Sequence, residues 1–235
     1  MYFIIKYATI IKRTLTLRGY MKKTLDKNIA LDYDDEDAYL ILKSIFNKSN
    51  FAFLKTDTTL LDTDVSERTL CGALKSHLEK ELSIAKIKGY YVDVEYNRNG
   101  GQVKTILDKN LEVVSIQCDL IVHSRGTNIK QDNLIAIEMK KSYRDQSSKD
   151  QDRMRLCALT KSTYDDDIWS YDGKSFPERV CRYILGIFYE IDRDNRTIYL
   201  EFYRNGKLIS KNKIFYKSSF IPKEISIVSS NQAEN

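Results

Sequence analysis

Residues 118–140 read CDLIVHSRGTNIKQDNLIAIEMK and contain two short apolar runs separated by a polar loop. Each run has the length and the β-branched content of a buried strand. Asp119 stands at the start of the first run, where a core strand would carry an apolar residue, and Glu138 and Lys140 stand at the end of the second. Because side chains alternate along a strand, Glu138 and Lys140 point to the same side, about 7 Å apart. The stretch therefore predicts two carboxylates and an ammonium at one edge of a sheet, an arrangement that suits a metal ion beside a cationic group.

The order of these residues resembles the motif of the PD-(D/E)XK nuclease superfamily, in which an Asp is followed by a loop and then by Glu-x-Lys at the end of an apolar strand. In this chain the motif is Asp119 followed by Glu138 and Lys140. Two positions depart from the family pattern. Cys118 stands where relatives usually have Pro, which shapes the backbone rather than the chemistry, and Arg155 stands where relatives often have Lys.

The resemblance extends over residues 64–203 and is strongest to a small bacterial branch of the superfamily. Four further segments resemble, in order, the first core helix, the first core strand, the helix after the catalytic strand and a later strand: 66–82, 90–98, 152–160 and 182–192. The resemblance implies an α/β (α+β) fold with a restriction-endonuclease-like core, in which helices flank a central mixed β-sheet in the order αβββαβ.

The family likeness also implies roles for individual residues. Glu67, Asp119, Glu138 and Lys140 are the predicted catalytic residues, and Asp119, Glu138 and the main-chain carbonyl of Met139 are the predicted ligands of Mg²⁺ or Mn²⁺. Oxygen ligands of this kind are those that Mg²⁺ prefers. A divalent ion supplies an activated water and charge neutralisation for phosphodiester hydrolysis. Lys140 would position or deprotonate the attacking water with a pKa lowered by burial, and Glu67 would orient Lys140 or contact the ion through water.

Glu67 also has a purely structural interpretation. Leu70 and Leu74 belong to an apolar stripe that recurs every four residues, and Glu67 shares their face of the predicted helix. A carboxylate on that face needs a partner. The segment from Asp64 to Glu67 equally fits a capping box, in which Asp64 caps the helix and Glu67 reaches back to its backbone N–H.

Length and composition predict one core with appendages. A chain of 235 residues with 42% hydrophobic residues can bury one sizeable core. The predicted organisation is an N-terminal extension and a helix packing on the core (1–60), a nuclease-like domain (61–216) and a C-terminal tail (217–235). Residues 1–20 are apolar but interrupted by basic residues, so they predict neither a signal peptide nor a membrane span.

Three local patterns outside the motif give further expectations. Residues 34–46 predict an amphipathic helix with acidic residues in its first turn, and residues 51–56 predict a short strand. Residues 91–96 alternate between polar and apolar side chains, which predicts a strand with Asp93 on a solvent-facing side. Arg204-Asn205-Gly206-Lys207 predicts a hairpin turn.

Charge is concentrated beside the predicted site. The net charge is only +5, but residues 140–161 hold seven basic and three acidic side chains, so seven minus three gives +4 within this segment. A phosphate-binding surface would have this composition, with Lys141, Arg153 and Arg155 as its nucleic-acid-binding residues. A loop and a helix face that are simply exposed to solvent would have the same charge composition.

Two functional hypotheses follow. The first is a metal-dependent nuclease that acts on nucleic acid, on DNA more readily than on RNA; the second is a catalytically inactive nucleic-acid-binding module with the same fold. The four Cys lie inside apolar runs without metal-type spacing, which indicates reduced thiols and a cytoplasmic protein. The expected partner is nucleic acid and not a membrane, and the sequence leaves the oligomeric state open, a homodimer included.

Overall fold

The computed structural model describes residues 31–99, 102–103, 105–107, 113–115, 117–162 and 180–217. Within these residues the helices are α1 (Glu36–Thr56), α2 (Thr58–Asp62), α3 (Glu67–Ile84) and α4 (Gln146–Leu159). The strands are β1 (Tyr91–Val94), β2 (Arg98–Asn99), β3 (Gln102–Val103), β4 (Thr105–Leu107), β5 (Val113–Ser115), β6 (Leu120–His123), β7 (Asn133–Lys141), β8 (Leu185–Asp192), β9 (Thr197–Arg204) and β10 (Lys207–Phe215).

A six-stranded mixed sheet forms the centre of the described structure, with the strand order β1-β6-β7-β8-β9-β10. All neighbouring strands are antiparallel except β7 and β8, which run parallel. Parallel neighbours need a crossover connection, and α4 lies in the connection between them. The short strands β2–β3 and β4–β5 pair separately, in the segment between β1 and β6.

Strand β7 is buried on both faces of the sheet. Its Ile135, Ile137 and Met139 belong to the apolar cluster that contains the buried residues of α1 and α3. Its Ala136 belongs to a second cluster that contains Leu156 of α4. A strand covered on both faces reads as a nearly continuous apolar run, so Glu138 and Lys140 are exceptions on the face that α4 covers.

Two helices begin at the same end of the sheet, where β7 finishes. Ser66 caps α3, and its hydroxyl accepts a hydrogen bond from the Thr69 N–H at 3.2 Å. Asp145 caps α4, and its carboxylate accepts from the Ser148 N–H at 2.7 Å. The N-cap of α3 is therefore Ser66 and not Asp64, so the capping box predicted from the sequence does not form.

The predicted α/β class is confirmed: the described chain is a mixed sheet flanked by helices. The strand predicted at residues 51–56 is wrong, because α1 continues to Thr56 as one helix of 21 residues. Its buried residues Phe46, Ser49, Asn50 and Phe53 keep the helical spacing, so the apolar stripe continues past the predicted end.

Two other expectations concern the ends of the sequence and the last hairpin. Asn205 and Gly206 have φ values of 51° and 71°, as a two-residue turn between β9 and β10 requires, so the predicted hairpin is confirmed. The expectations for residues 1–20, and for 217–235 apart from Lys217, lie outside the described residues. All four Cys are free thiols.

Among the helices of the described residues, none combines the length and the apolar character that crossing a membrane requires.

Candidate active site

Asp119 and Glu138 lie opposite each other at one end of the sheet. Strands β6 and β7 pair antiparallel, with Leu120 opposite Ile137. One further step along both strands places Asp119, which directly precedes β6, opposite Glu138. The charge of Asp119 contributes to the raised pKa of Glu138, as expected for two carboxyl groups that lie close together. The two carboxylates are therefore neighbours on one face of the sheet.

Glu138 and Lys140 both face α4. The Arg155 guanidinium donates from Nη1 to Glu138 Oε1 at 2.9 Å. The Lys140 ammonium lies 2.8 Å from Asp152 Oδ2. Since both partners belong to α4, Glu138 and Lys140 lie on the same side of β7, as the alternation along the strand predicts.

Asp152 joins these two pairs into one network. Its Oδ1 lies 3.1 Å from Arg155 Nη2, while its Oδ2 approaches Lys140. The side chain of Glu138 is fully buried and that of Asp152 is 3% exposed. Counting Asp119, the cluster holds three carboxylates and two cations, so its net charge is −1 when all five groups are ionised. Asp152 and Arg155 are three residues apart, a spacing that places them on the same face of α4.

Beyond the start of β6, two carboxylates accept hydrogen bonds from main-chain N–H groups of β7. The Met139 N–H donates to Asp119 Oδ2 at 2.7 Å, and the Lys141 N–H donates to Glu67 Oε1 at 3.0 Å. A strand N–H without a neighbouring strand needs another acceptor, and these side chains supply it. Glu67 thus reaches the same sheet edge as Asp119. Glu67 also accepts from Arg144 Nε at 3.3 Å, whereas the partner of the Lys140 ammonium is Asp152.

Burial makes both predicted metal ligands harder to ionise. It raises the pKa of the Asp119 carboxyl, an effect that the Met139 N–H and the Lys140 charge only partly offset. It raises the pKa of Glu138 well above its ordinary value; Arg155 opposes this shift, and the charges of Asp119 and Asp152 add to it. Such crowded carboxylates favour a proton or a cation beside them.

Lys140 differs from the prediction in its protonation. Burial lowers its pKa, but the hydrogen bond and the charge of Asp152, together with Asp119 and Glu138, outweigh burial, so the net pKa of Lys140 is raised. The predicted lowering is therefore corrected: the carboxylates around Lys140 keep it an ammonium.

The three predicted nucleic-acid-binding residues all have partners inside the protein. Lys141 points away from Lys140, is 8% exposed, and lies 2.7 Å from Asp64 Oδ1. Arg153 donates to Glu201 at 2.9 Å, and Arg155 donates to Glu138. Each of the three side chains thus forms an ion pair within the protein, and their role in binding nucleic acid stays a prediction.

The donor set fits a hydrated divalent cation. No group of three or more His, Cys, Asp or Glu side chains in the described part of the chain is arranged to hold a metal ion. Mg²⁺, however, commonly uses one or two carboxylates and keeps several waters. Glu138 Oε2 is buried and accepts no hydrogen bond within the described residues, and Asp119 lies opposite it. This buried acceptor is available to a cation that bridges the two strands.

The chain matches no protein-family model, no curated protein and no solved structure. The likeness to PD-(D/E)XK nucleases therefore consists of the motif and the order of elements in this chain. Its consequences for function depend on the geometry of Asp119, Glu138 and Lys140.

Proposed function

We propose that this protein is a metal-dependent nuclease with a PD-(D/E)XK-type core, which hydrolyses nucleic-acid phosphodiester bonds. The observation that carries the proposal is the meeting of Asp119 and Glu138 on adjacent strands, with Lys140 on the same face. The order α3, β1, β6, β7, α4, β8 supports it, because it follows the helix, three strands, helix and strand of that core when the two small hairpins are set aside. The preference for DNA over RNA follows from the family resemblance alone.

The proposed chemistry assigns the metal to the carboxylates and the positive charge to Lys140. Asp119 and Glu138, with the Met139 carbonyl, would hold Mg²⁺ or Mn²⁺. When bound, the ion supplies an activated water and neutralises charge on the phosphate. Lys140 would donate hydrogen bonds to the phosphate or to the attacking water. Its neighbouring carboxylates raise the pKa of Lys140 in the metal-free protein, which favours the ammonium as a hydrogen-bond donor and a positive charge.

Two residues of α4 hold this machinery in place. Arg155 donates to Glu138 Oε1, which orients that carboxylate and offsets its buried charge. Asp152 holds the Lys140 ammonium and Arg155 at once. We assign Asp152 and Arg155 as positioning residues, since each acts through another side chain of the site.

One observation favours the second candidate, a nucleic-acid-binding module without catalysis. Glu138, Arg155, Asp152 and Lys140 are linked by three successive ion pairs within the protein. Such a network stabilises charges in the absence of an ion. This candidate requires salt-sensitive binding of nucleic acid that survives removal of metal and substitution of Glu138.

Cleavage under controlled metal conditions separates the two candidates. Purified protein is incubated with end-labelled single-stranded DNA, duplex DNA and RNA in Mg²⁺, Mn²⁺, Ca²⁺ or EDTA. The nuclease cleaves at least one substrate in Mg²⁺ or Mn²⁺, stops in EDTA and recovers when Mg²⁺ is returned in excess. Binding that persists in EDTA, without cleavage of any substrate in any metal, would instead establish the binding module.

A further inference from the structure

The turn after β7 is fixed at the edge of the candidate site. The Ser142 N–H donates to the Ile191 carbonyl of β8 at 2.8 Å, and the Arg144 N–H donates to the Lys141 carbonyl at 3.0 Å. These bonds tie the turn to the ends of the two parallel strands. Tyr143 lies in this turn, three residues after Lys140.

The Tyr143 ring is exposed although its backbone is held. Its exposed fraction is 66%, and Arg144 Cζ lies 5.7 Å from the ring centroid. Lys141 Nζ lies 5.8 Å from the centroid but is held by Asp64 and is not counted as part of the binding surface. An aromatic face with adjacent cations is the arrangement on which single-stranded nucleic acids stack their bases. A rigid backbone lowers the entropic cost of using such a ring for binding.

Two arginines beside Tyr143 carry accessible charge: Arg144 follows it in the chain, and Arg193 lines the same small cleft. Arg144 is 50% exposed, and its contact with Glu67 is made through Nε. Arg193, which directly follows β8, is 47% exposed and lies 3.6 Å from Asp64 and 3.7 Å from Asp194. Exposed pairs at such distances contribute little, so a phosphate can compete for Arg193. These cations are more exposed than Arg153 and Arg155, whose side chains are 25% and 24% exposed.

We propose that Tyr143, Arg144 and Arg193, named here the Tyr143 surface, bind a single-stranded segment of nucleic acid beyond the end of β7. The ring takes the face of an unpaired base, and the arginines take the flanking phosphates. Duplex bases are already stacked on their neighbours, so only a single strand or a frayed end presents a free base face. Every base has such a face, so binding tolerates any sequence. The assignment as substrate rests on the proposed nuclease function, but the binding itself does not.

Binding to two matched ligands tests the proposal on the full chain. Fluorescein-labelled oligothymidylate and an abasic deoxyribose-phosphate strand of equal length are titrated in EDTA and followed by anisotropy. Tyr143→Ala is expected to weaken oligothymidylate binding about 5- to 150-fold, the range for one lost base stack, and to leave the abasic strand unchanged. Tyr143→Phe keeps the ring and should bind like the parent. Phe51→Ala removes a ring that is 71% exposed on α1, and it should have no effect.

Salt dependence tests the arginines separately. Arg144→Ala and Arg193→Ala should each reduce the slope of log K against log salt by about 0.7, as expected for one phosphate contact to a single strand. Lys130→Ala, at the opposite end of β7 and 78% exposed, should leave the slope unchanged.

The outcomes distinguish this proposal from the nuclease proposal. The Tyr143 surface is refuted if the parent protein does not bind oligothymidylate, or if Tyr143→Ala weakens both ligands equally or neither. Cleavage that persists beside such a result leaves the nuclease proposal standing. Base-dependent binding without cleavage in any metal supports the Tyr143 surface and refutes the nuclease.

Discussion

Replacing Lys140 by Ala is expected to lower kcat for phosphodiester cleavage by about 10²–10³-fold, the usual cost of removing one donor aimed at developing charge. Lys140 lies on the same face as Glu138, and its neighbouring carboxylates raise the pKa of its ammonium group. Metal affinity should fall little, since Lys140 is not a ligand. Single-turnover cleavage, with the protein in saturating excess over substrate and with saturating Mg²⁺, measures the change in the chemical step without a contribution from product release.

The adjacent lysine provides the matched control. Lys141 lies on the other side of β7, paired with Asp64, so Lys141→Ala should keep kcat within a few-fold while losing some stability. Asp119→Ala removes one of the two carboxylates and should abolish both cleavage and metal binding. An unchanged kcat in Lys140→Ala, or an equal loss in Lys141→Ala, would contradict the assigned role of Lys140.

Replacing Glu138 by Gln is expected to abolish cleavage and, at the same time, to stabilise the metal-free protein. Burial raises the pKa of Glu138 in the folded state above its ordinary value of 4.5. Below about pH 4.5 the carboxyl is protonated in both states and contributes no difference. As the pH rises from there to the folded pKa, the unfolded chain loses its proton first and the free energy of unfolding falls. Gln does not ionise, so the variant lacks this fall in the free energy of unfolding. Its amide oxygen can still accept a hydrogen bond from Arg155.

Urea unfolding of the metal-free proteins at several pH values measures the difference. The free energy of unfolding of Glu138→Gln should exceed that of the parent above about pH 4.5, and the difference should increase as the pH rises toward the folded-state pKa of Glu138. Mg²⁺ at one hundred times its Kd should raise the free energy of unfolding of the parent by about 2.7 kcal/mol. It should leave the free energy of unfolding of the variant almost unchanged. Glu79→Gln, at a side chain that is 51% exposed, is the control and should shift stability by less than about 0.5 kcal/mol. A Glu138→Gln protein less stable than the parent across this range would refute the account.

The positions of Glu138 and Lys140 could be predicted because they depend on local geometry. Alternation along a strand requires only that residues 133–141 form one, so Glu138 and Lys140 follow directly. Placing Asp119 opposite Glu138 also needs the register between β6 and β7, which the apolar pattern does not fix because both strands are buried on both faces.

The partners of these residues could not be predicted, because they depend on contacts between elements distant in sequence. Asp152 reaches Lys140 only because of the rotation of α4 over the sheet, which no local pattern specifies. Asp93 shows the same limit: predicted to face solvent, it is mostly buried, with His123 Nε2 at 3.1 Å and Arg125 at 2.6 Å. Its partners lie at the end of β6 and in the following turn, so alternation within β1 alone could not reveal them.

The most direct test of the metal site is a crystal structure of the protein soaked in Mn²⁺, with anomalous diffraction used to locate the ion. The account predicts one strong anomalous peak within direct coordination distance of both carboxylates, Asp119 and Glu138, at about 2.0–2.2 Å from their oxygens. A peak that touches only one of them, a peak elsewhere, or no peak at saturating Mn²⁺ would contradict it.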